Sequence, residues 1–152
     1  MKKILLILLS TNLLLACNAE SDKEHKSETD PVVHEHTEAA SALVLNNGNK
    51  WKADSITNHN VVGLKTTADM FRVQPFPSIN NYQLLGTDLS KDLDVLLKEC
   101  KMKGEDHEAL HNWLAPILKQ TNDLKNITDT AKAREIFKSV DVRIDAYRNF
   151  FY

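Results

Sequence analysis

Residues 133–151 have the sequence A-R-E-I-F-K-S-V-D-V-R-I-D-A-Y-R-N-F-F, in which apolar residues recur at alternating spacings of four and three. This spacing places one continuous apolar seam along a helix, as in the a and d positions of a helical bundle. The seam consists of Ala133, Phe137, Val140, Ile144, Tyr147 and Phe151. The pattern predicts an amphipathic helix over residues 128–151, capped by Thr128 or Asp129.

Three earlier segments carry a similar apolar stripe. They predict helices over Ser55–Arg72, residues 81–101 and Glu105–Lys125, with Asp54 or Ser55 as the first cap. Because the connections between these segments are short, neighbouring helices should be antiparallel. The sequence therefore predicts an all-α, up-down-up-down four-helix bundle over residues 43–152. The turn-forming residues N-N-G-N at 46–49 indicate that a short extended segment or hairpin precedes the first helix.

The first 16 residues have the features of a bacterial lipoprotein signal peptide. Lys2 and Lys3 precede a short apolar stretch, and L-L-A-C at residues 14–17 matches a lipoprotein cleavage box. The apolar stretch is too short for a membrane-spanning helix. We therefore predict lipidation at Cys17, which becomes the new N-terminus and anchors the chain to the membrane. The alternatives are an ordinary secretory peptide or a short anchor.

Residues 17–42 show no hydrophobic periodicity and are rich in charged and hydroxyl residues, which predicts a flexible tether. His34 and His36 flank Glu35 and form a candidate accessory metal site; the simpler interpretation, which the composition favours, is a solvated polar linker with incidental histidines. The whole chain carries a net charge of −2 and has no strongly basic stretch, which argues against a nucleic-acid partner.

Asn18 after Cys17 is not the Asp often linked to inner-membrane retention, so we expect a cell-envelope location at the outer membrane.

A second cluster of metal-ligand types lies where the second and third predicted helices meet. Cys100 and Met102 end the second helix pattern, Gly104 interrupts it, and His107 and His111 follow at i and i+4. Histidines with this spacing lie on one face of a helix. Thiolate, thioether and imidazole groups suit soft or borderline metals, namely copper and zinc. With Cys17 lipidated, Cys100 has no partner within the chain, which leaves burial, pairing between chains or ligand binding. We therefore predict Cys100, Met102, His107 and His111 as metal ligands.

Three alternatives compete for these residues. A buried Cys and Met can simply fill the core, with both histidines hydrogen bonded to carboxylates. The sequence H-E-A-L-H at 107–111 matches the metalloprotease motif, with Glu108 as base and Glu135 as third ligand, but a bundle offers no cleft for a substrate. A haem held by Met70 and His107 or His111 is disfavoured because it rests on fold analogy alone. We predict no catalytic residues and no enzymatic activity.

Four segments resemble a family of small lipoproteins from Bacteroidetes-type bacteria. They are L-N-N-G-N-K-W-K at residues 45–52, C-K-M-K-G at 100–104, H-E-A-L-H-N-W-L-A-P at 107–116 and F-F-Y at 150–152. The resemblance implies a helical envelope protein, sometimes associated with heavy-metal handling. The expected function is therefore binding of copper or zinc as a sink, chaperone or sensor for an efflux system. The alternative is a structural or interaction lipoprotein that docks an envelope partner without a metal.

Overall fold

The computed structural model describes residues 42–152, so the predicted signal peptide, Cys17, most of the tether, His34 and His36 lie outside the described residues. Four long helices are followed by one helical turn: α1 (Ser55–Arg72), α2 (Ile79–Glu99), α3 (Glu105–Lys125), α4 (Thr130–Asp145) and α5 (Tyr147–Phe150). Each long helix packs against the next, and α4 also packs against α1 and α2. The predicted all-α, up-down-up-down four-helix bundle is confirmed.

Side chains before the helices determine where α1 and α2 begin. The Asp54 carboxylate accepts a hydrogen bond of 2.7 Å from the backbone N–H of Thr57 and caps α1. Ser78 and Asn81 form a reciprocal capping box, in which each side chain accepts a bond from the other's backbone N–H. This box starts α2 at Ile79, two residues earlier than predicted, because Asn81 belongs to the first turn rather than to the cap.

The apolar stripes predicted from the sequence form the core. On α1 the buried apolar residues are Val61, Leu64, Ala68 and Phe71, and on α2 they are Tyr82, Leu85, Leu89, Leu93 and Leu96. The α3 stripe is buried at Leu110, Leu114, Ile117 and Thr121, and most of the α4 seam is buried as well. Leu118 and Phe137 are partly buried and pack against the same core. The helical period therefore identified the inward faces correctly.

The fourth helix ends earlier than predicted. α4 stops at Asp145, and Tyr147–Phe150 forms a separate turn instead of continuing one helix to residue 151. Beyond this turn the chain becomes extended and pairs with the segment before α1: Trp51 donates its N–H to Phe150, and Tyr152 donates to the carbonyl of Trp51. Because these hydrogen bonds require extended backbone, the helix cannot continue through the residues that form them. The apolar seam nevertheless persists, because Tyr147 and Phe151 remain buried with their rings stacked 4.8 Å apart.

The predicted turn before α1 is present. Asn46 and Asn49 form an isolated antiparallel bridge around Asn47 and Gly48. Both central residues have positive φ, 49° and 86°, which is the conformation required by a tight hairpin turn. The indole N–H of Trp51 donates to the carbonyl of Val44 at 2.7 Å and holds this turn against the following segment.

Candidate functional site

The predicted metal corner is a tight reversal between α2 and α3. Cys100 is the C-cap of α2, with extended backbone that ends the helix. Gly104 has φ 64° and ψ −150°, a combination that side chains other than glycine rarely adopt, and α3 begins directly after it. The local sequence therefore reverses the chain within five residues and brings the end of α2 next to the start of α3.

Carboxylates bind this reversal to the segment that leads into α1. The backbone N–H of Lys101 donates to Asp54 at 3.0 Å, and the N–H of Lys52 donates to Asp106 at 2.9 Å. Partial burial works against ionisation of Asp54, but hydrogen bonds from Thr57 and Lys101 outweigh it and hold the pKa of Asp54 below its usual value. The carboxylate of Asp106 therefore accepts a main-chain hydrogen bond that joins α3 to the segment before α1.

The two sulfur groups of the corner are associated with the core. Met102 is 8% exposed and belongs to the main apolar cluster. Cys100 has a free thiol, is partly buried and packs against the same cluster. A buried Met and Cys in such surroundings contribute as apolar side chains. This position supports the core interpretation of both residues.

The two imidazoles do come together. His107 and His111 are partly exposed on α3, and their ring centroids lie 4.3 Å apart at an interplanar angle of 66°. The i, i+4 spacing therefore produces the predicted side-by-side pair. Two adjacent ring nitrogens can serve as neighbouring ligands of one zinc or copper ion.

Among the residues that the structure describes, no third His, Cys, Asp or Glu completes a metal-binding group with this pair. Within residues 42–152, no three His, Cys, Asp or Glu side chains form a group that could hold a metal ion. Cys100 and Glu135 therefore do not complete such a group with the histidines. Glu135 instead lines a groove on α4 beside Val142 and Arg143. Binding of zinc or copper by His107 and His111 stays a prediction.

Met70 and His107, one of the two residue pairs suggested for haem, lie at different levels of the bundle. Met70 lies fifteen residues into α1, which is roughly 22 Å along the helix axis from its start. His107 lies in the first turn of α3, and that turn is joined to the residues just before α1 through Asp106. The thioether of Met70 and this imidazole are thus too far apart along the bundle to ligate one iron.

A second candidate site lies at the connection between α1 and α2, and the sequence analysis did not identify it. Four large apolar residues are exposed where α1 passes into α2: Met70 (66%), Val73 (80%), Phe76 (99%) and Leu84 (61%). We call these four residues the apolar tip. Phe76 stands between Pro75 and Pro77 and has a positive φ of 50°. An aromatic residue flanked by two prolines was the signal that could have identified this site.

No helix between residues 42 and 152 combines the length and the apolar character needed to cross a membrane. Comparisons of the chain with family models, with curated proteins and with solved structures found no match. The resemblance to small envelope lipoproteins therefore stays a prediction, and the functional argument rests on the site geometry.

Proposed function

We propose that this chain is a lipid-anchored protein of the bacterial cell envelope whose helical domain binds a protein partner through the apolar tip. The observation that supports this proposal is Phe76, a large aromatic side chain that is 99% exposed. Single exposed apolar residues are ordinary, whereas four of them at one helix connection are typical of surfaces used for association. The anchor at Cys17 and the outer-membrane location belong to the same proposal.

The backbone of Phe76 strengthens the argument. A bulky residue with positive φ is an uncommon and strained conformation. The following Pro77 adds to the strain, because a residue before proline prefers extended backbone with negative φ. Conformations of this kind cost about 1–3 kcal/mol and concentrate at functional sites. The loop thus holds a costly conformation that directs an aromatic ring into solvent.

The position of the tip also suits an interaction. The segment before α1 lies at the end of the bundle where α2 passes into α3, as the bond between Lys52 and Asp106 requires. The apolar tip lies at the other end of α1, whose 18 residues span about 27 Å. A domain attached through its N-terminal segment would therefore present this tip away from the point of attachment.

Replacing Phe76 should show whether its backbone is strained. We expect Phe76→Gly to raise the free energy of unfolding by about 0.5–1 kcal/mol, because glycine tolerates positive φ and the exposed ring contributes little to packing. Phe76→Ala keeps the strain and should bring no such gain. Urea unfolding followed by tryptophan fluorescence measures both variants. Equal stability of the Gly and Ala variants would contradict the assignment of strain.

Photo-crosslinking tests the proposed function directly. A photoreactive amino acid is placed at position 76 of the full-length protein in intact cells, and a matched variant carries it at the exposed Asn149. We expect one protein adduct of defined mass at position 76, absent at position 149, and lost when Met70→Ser is added. No adduct, equal adducts at both positions, or adducts with lipid alone would refute the proposal.

A second candidate function, binding of zinc or copper by the domain, is favoured by the pairing of His107 and His111. A two-imidazole site leaves coordination positions open to water or to a partner protein. This arrangement favours exchange of an ion, as in a chaperone or sensor for an efflux system, over its storage.

Equilibrium dialysis of the full-length protein against Zn²⁺ or Cu²⁺ tests this candidate. We expect about one bound ion to be lost in the His107→Ala, His111→Ala variant, because each histidine would supply one ring nitrogen as a ligand. His59→Ala, an exposed histidine on α1, should retain it. The same measurement on a variant with His34 and His36 replaced by Ala tests the predicted accessory site separately. Equal metal in all variants would remove the candidate.

A further inference from the structure

A groove between α1 and α2 extends from the apolar tip. Its wall includes the exposed side chains of Met70 and Leu84, and its volume is about 460 Å³. Gln74, which begins the loop carrying Phe76, lines the same groove. The groove and the loop therefore form one continuous surface at the connection between the two helices.

The floor of this groove consists of buried, closely packed apolar side chains. Phe71 and Leu85 line it and are 6% and 4% exposed. The ring of Phe71 packs against Tyr82 at 5.0 Å and against Phe137 at 4.8 Å between centroids. Aromatic packing of this kind holds side chains in place. A ligand would therefore meet a preformed apolar floor, which lowers the entropic cost of binding.

The charges beside the groove are predominantly negative. Asp88 and Asp92 line it together with Lys91, which pairs with Asp88 at 2.8 Å. Asp92 also lies beside Thr67, whose hydroxyl donates a hydrogen bond of 2.6 Å to its carboxylate.

We propose that the groove between α1 and α2 binds a basic amphipathic segment of the partner protein. The apolar side chains of that segment would contact Met70 and Leu84, and its Lys or Arg residues would lie beside Asp88 and Asp92. This inference rests on the proposed function of the apolar tip. Complementary charge fixes orientation and speeds encounter, while the apolar contacts supply most of the affinity. The excess of carboxylates disfavours the other class of ligand, an anionic phospholipid surface, by repulsion.

Two synthetic helical peptides probe this surface on the full-length protein. One carries Leu and Phe on one face with Lys beside them, and its counterpart has Glu in place of Lys. We expect the Lys peptide to bind more tightly and to weaken as salt rises, because exposed charges are screened. The Asp88→Asn, Asp92→Asn variant should raise its Kd between about two- and thirtyfold. Asp94→Asn, an exposed carboxylate of α2 outside the groove, is the matched control and should leave the Kd unchanged.

The possible results are distinguishable. Leu84→Gln should weaken the Lys peptide as well, and since Leu84 is 61% exposed this change leaves the fold intact. Equal binding of both peptides, or an unchanged Kd in the double Asn variant, overturns the inference. Binding to phosphatidylglycerol vesicles that Phe76→Ala abolishes, without peptide binding, overturns it in favour of a lipid surface. A defined protein adduct at position 76 without discrimination between peptides leaves the proposed function standing and removes only this inference.

Discussion

Met102→Ala is expected to lower the free energy of unfolding by about 2–5 kcal/mol, the range for removing a buried Met side chain. The residue is 8% exposed within the main apolar cluster, so truncation leaves a cavity that its neighbours fill only partly. Met102→Leu conserves volume and apolar character and should cost less than about 1.5 kcal/mol. Urea unfolding of the metal-free protein, followed by fluorescence of Trp51 and Trp113, measures both variants.

This pair of variants tests whether Met102 stabilises the domain through packing. If the thioether serves the core, the size of the side chain matters and sulfur does not, so Leu replaces Met at small cost. A loss below about 0.5 kcal/mol for Met102→Ala would place the residue among surface-like positions and contradict its assignment to the core. An unchanged m-value confirms that both variants unfold between comparable states.

The sequence predicted the helices because their burial is periodic. Leu89, Leu93 and Leu96 recur at helical spacing on α2 and are all buried. Asp54 was one of two suggested caps and is the residue that bonds to Thr57. Periodicity and capping are local properties, so a single sequence carries them without knowledge of the rest of the fold.

The candidate site was less accessible to prediction because it lies outside the periodic segments. Residues 100–104 form a turn, where helical phase no longer decides which side chain points inward, and Met102 is consequently buried although it falls off the stripe of α2. The pairing of Trp51 with Phe151 joins distant parts of the chain and has no local signature. His107 and His111 were placed together correctly because their relation lies within one helix.

The backbone conformation of Phe76 also could not be predicted from the sequence. Its flanking prolines indicate a loop, and neither proline specifies positive φ at the residue between them. Left-handed backbone at a bulky residue arises from the tertiary constraint of joining α1 to α2, which overrides the local preference. Conflicts of this kind are expected at functional or strained sites, which is why this loop supports the proposed function.

Gly86→Ala is expected to be destabilising although alanine is the better helix former. A Cβ at position 86 of α2 would lie 2.8 Å from the backbone nitrogen of Lys125 and 3.0 Å from the carbonyl oxygen of Thr121 on α3. Main-chain atoms cannot rotate away as a side chain can, so the two helices must separate and loosen the surrounding core. Overpacking of this kind costs about 1–3 kcal/mol, which exceeds the gain of about 1 kcal/mol in helix propensity.

Gly63→Ala provides the matched control for this change. Gly63 is also inside a helix, but no atom lies within 4 Å of the position its Cβ would take. The propensity gain should then appear alone and raise the free energy of unfolding by about 0.4–1 kcal/mol. Opposite signs for the two variants, measured by urea unfolding, would show that close approach of α2 and α3 requires glycine at position 86. Stabilisation by both would mean that these helices can separate at little cost, and the tight packing assigned to this face of the bundle would be wrong.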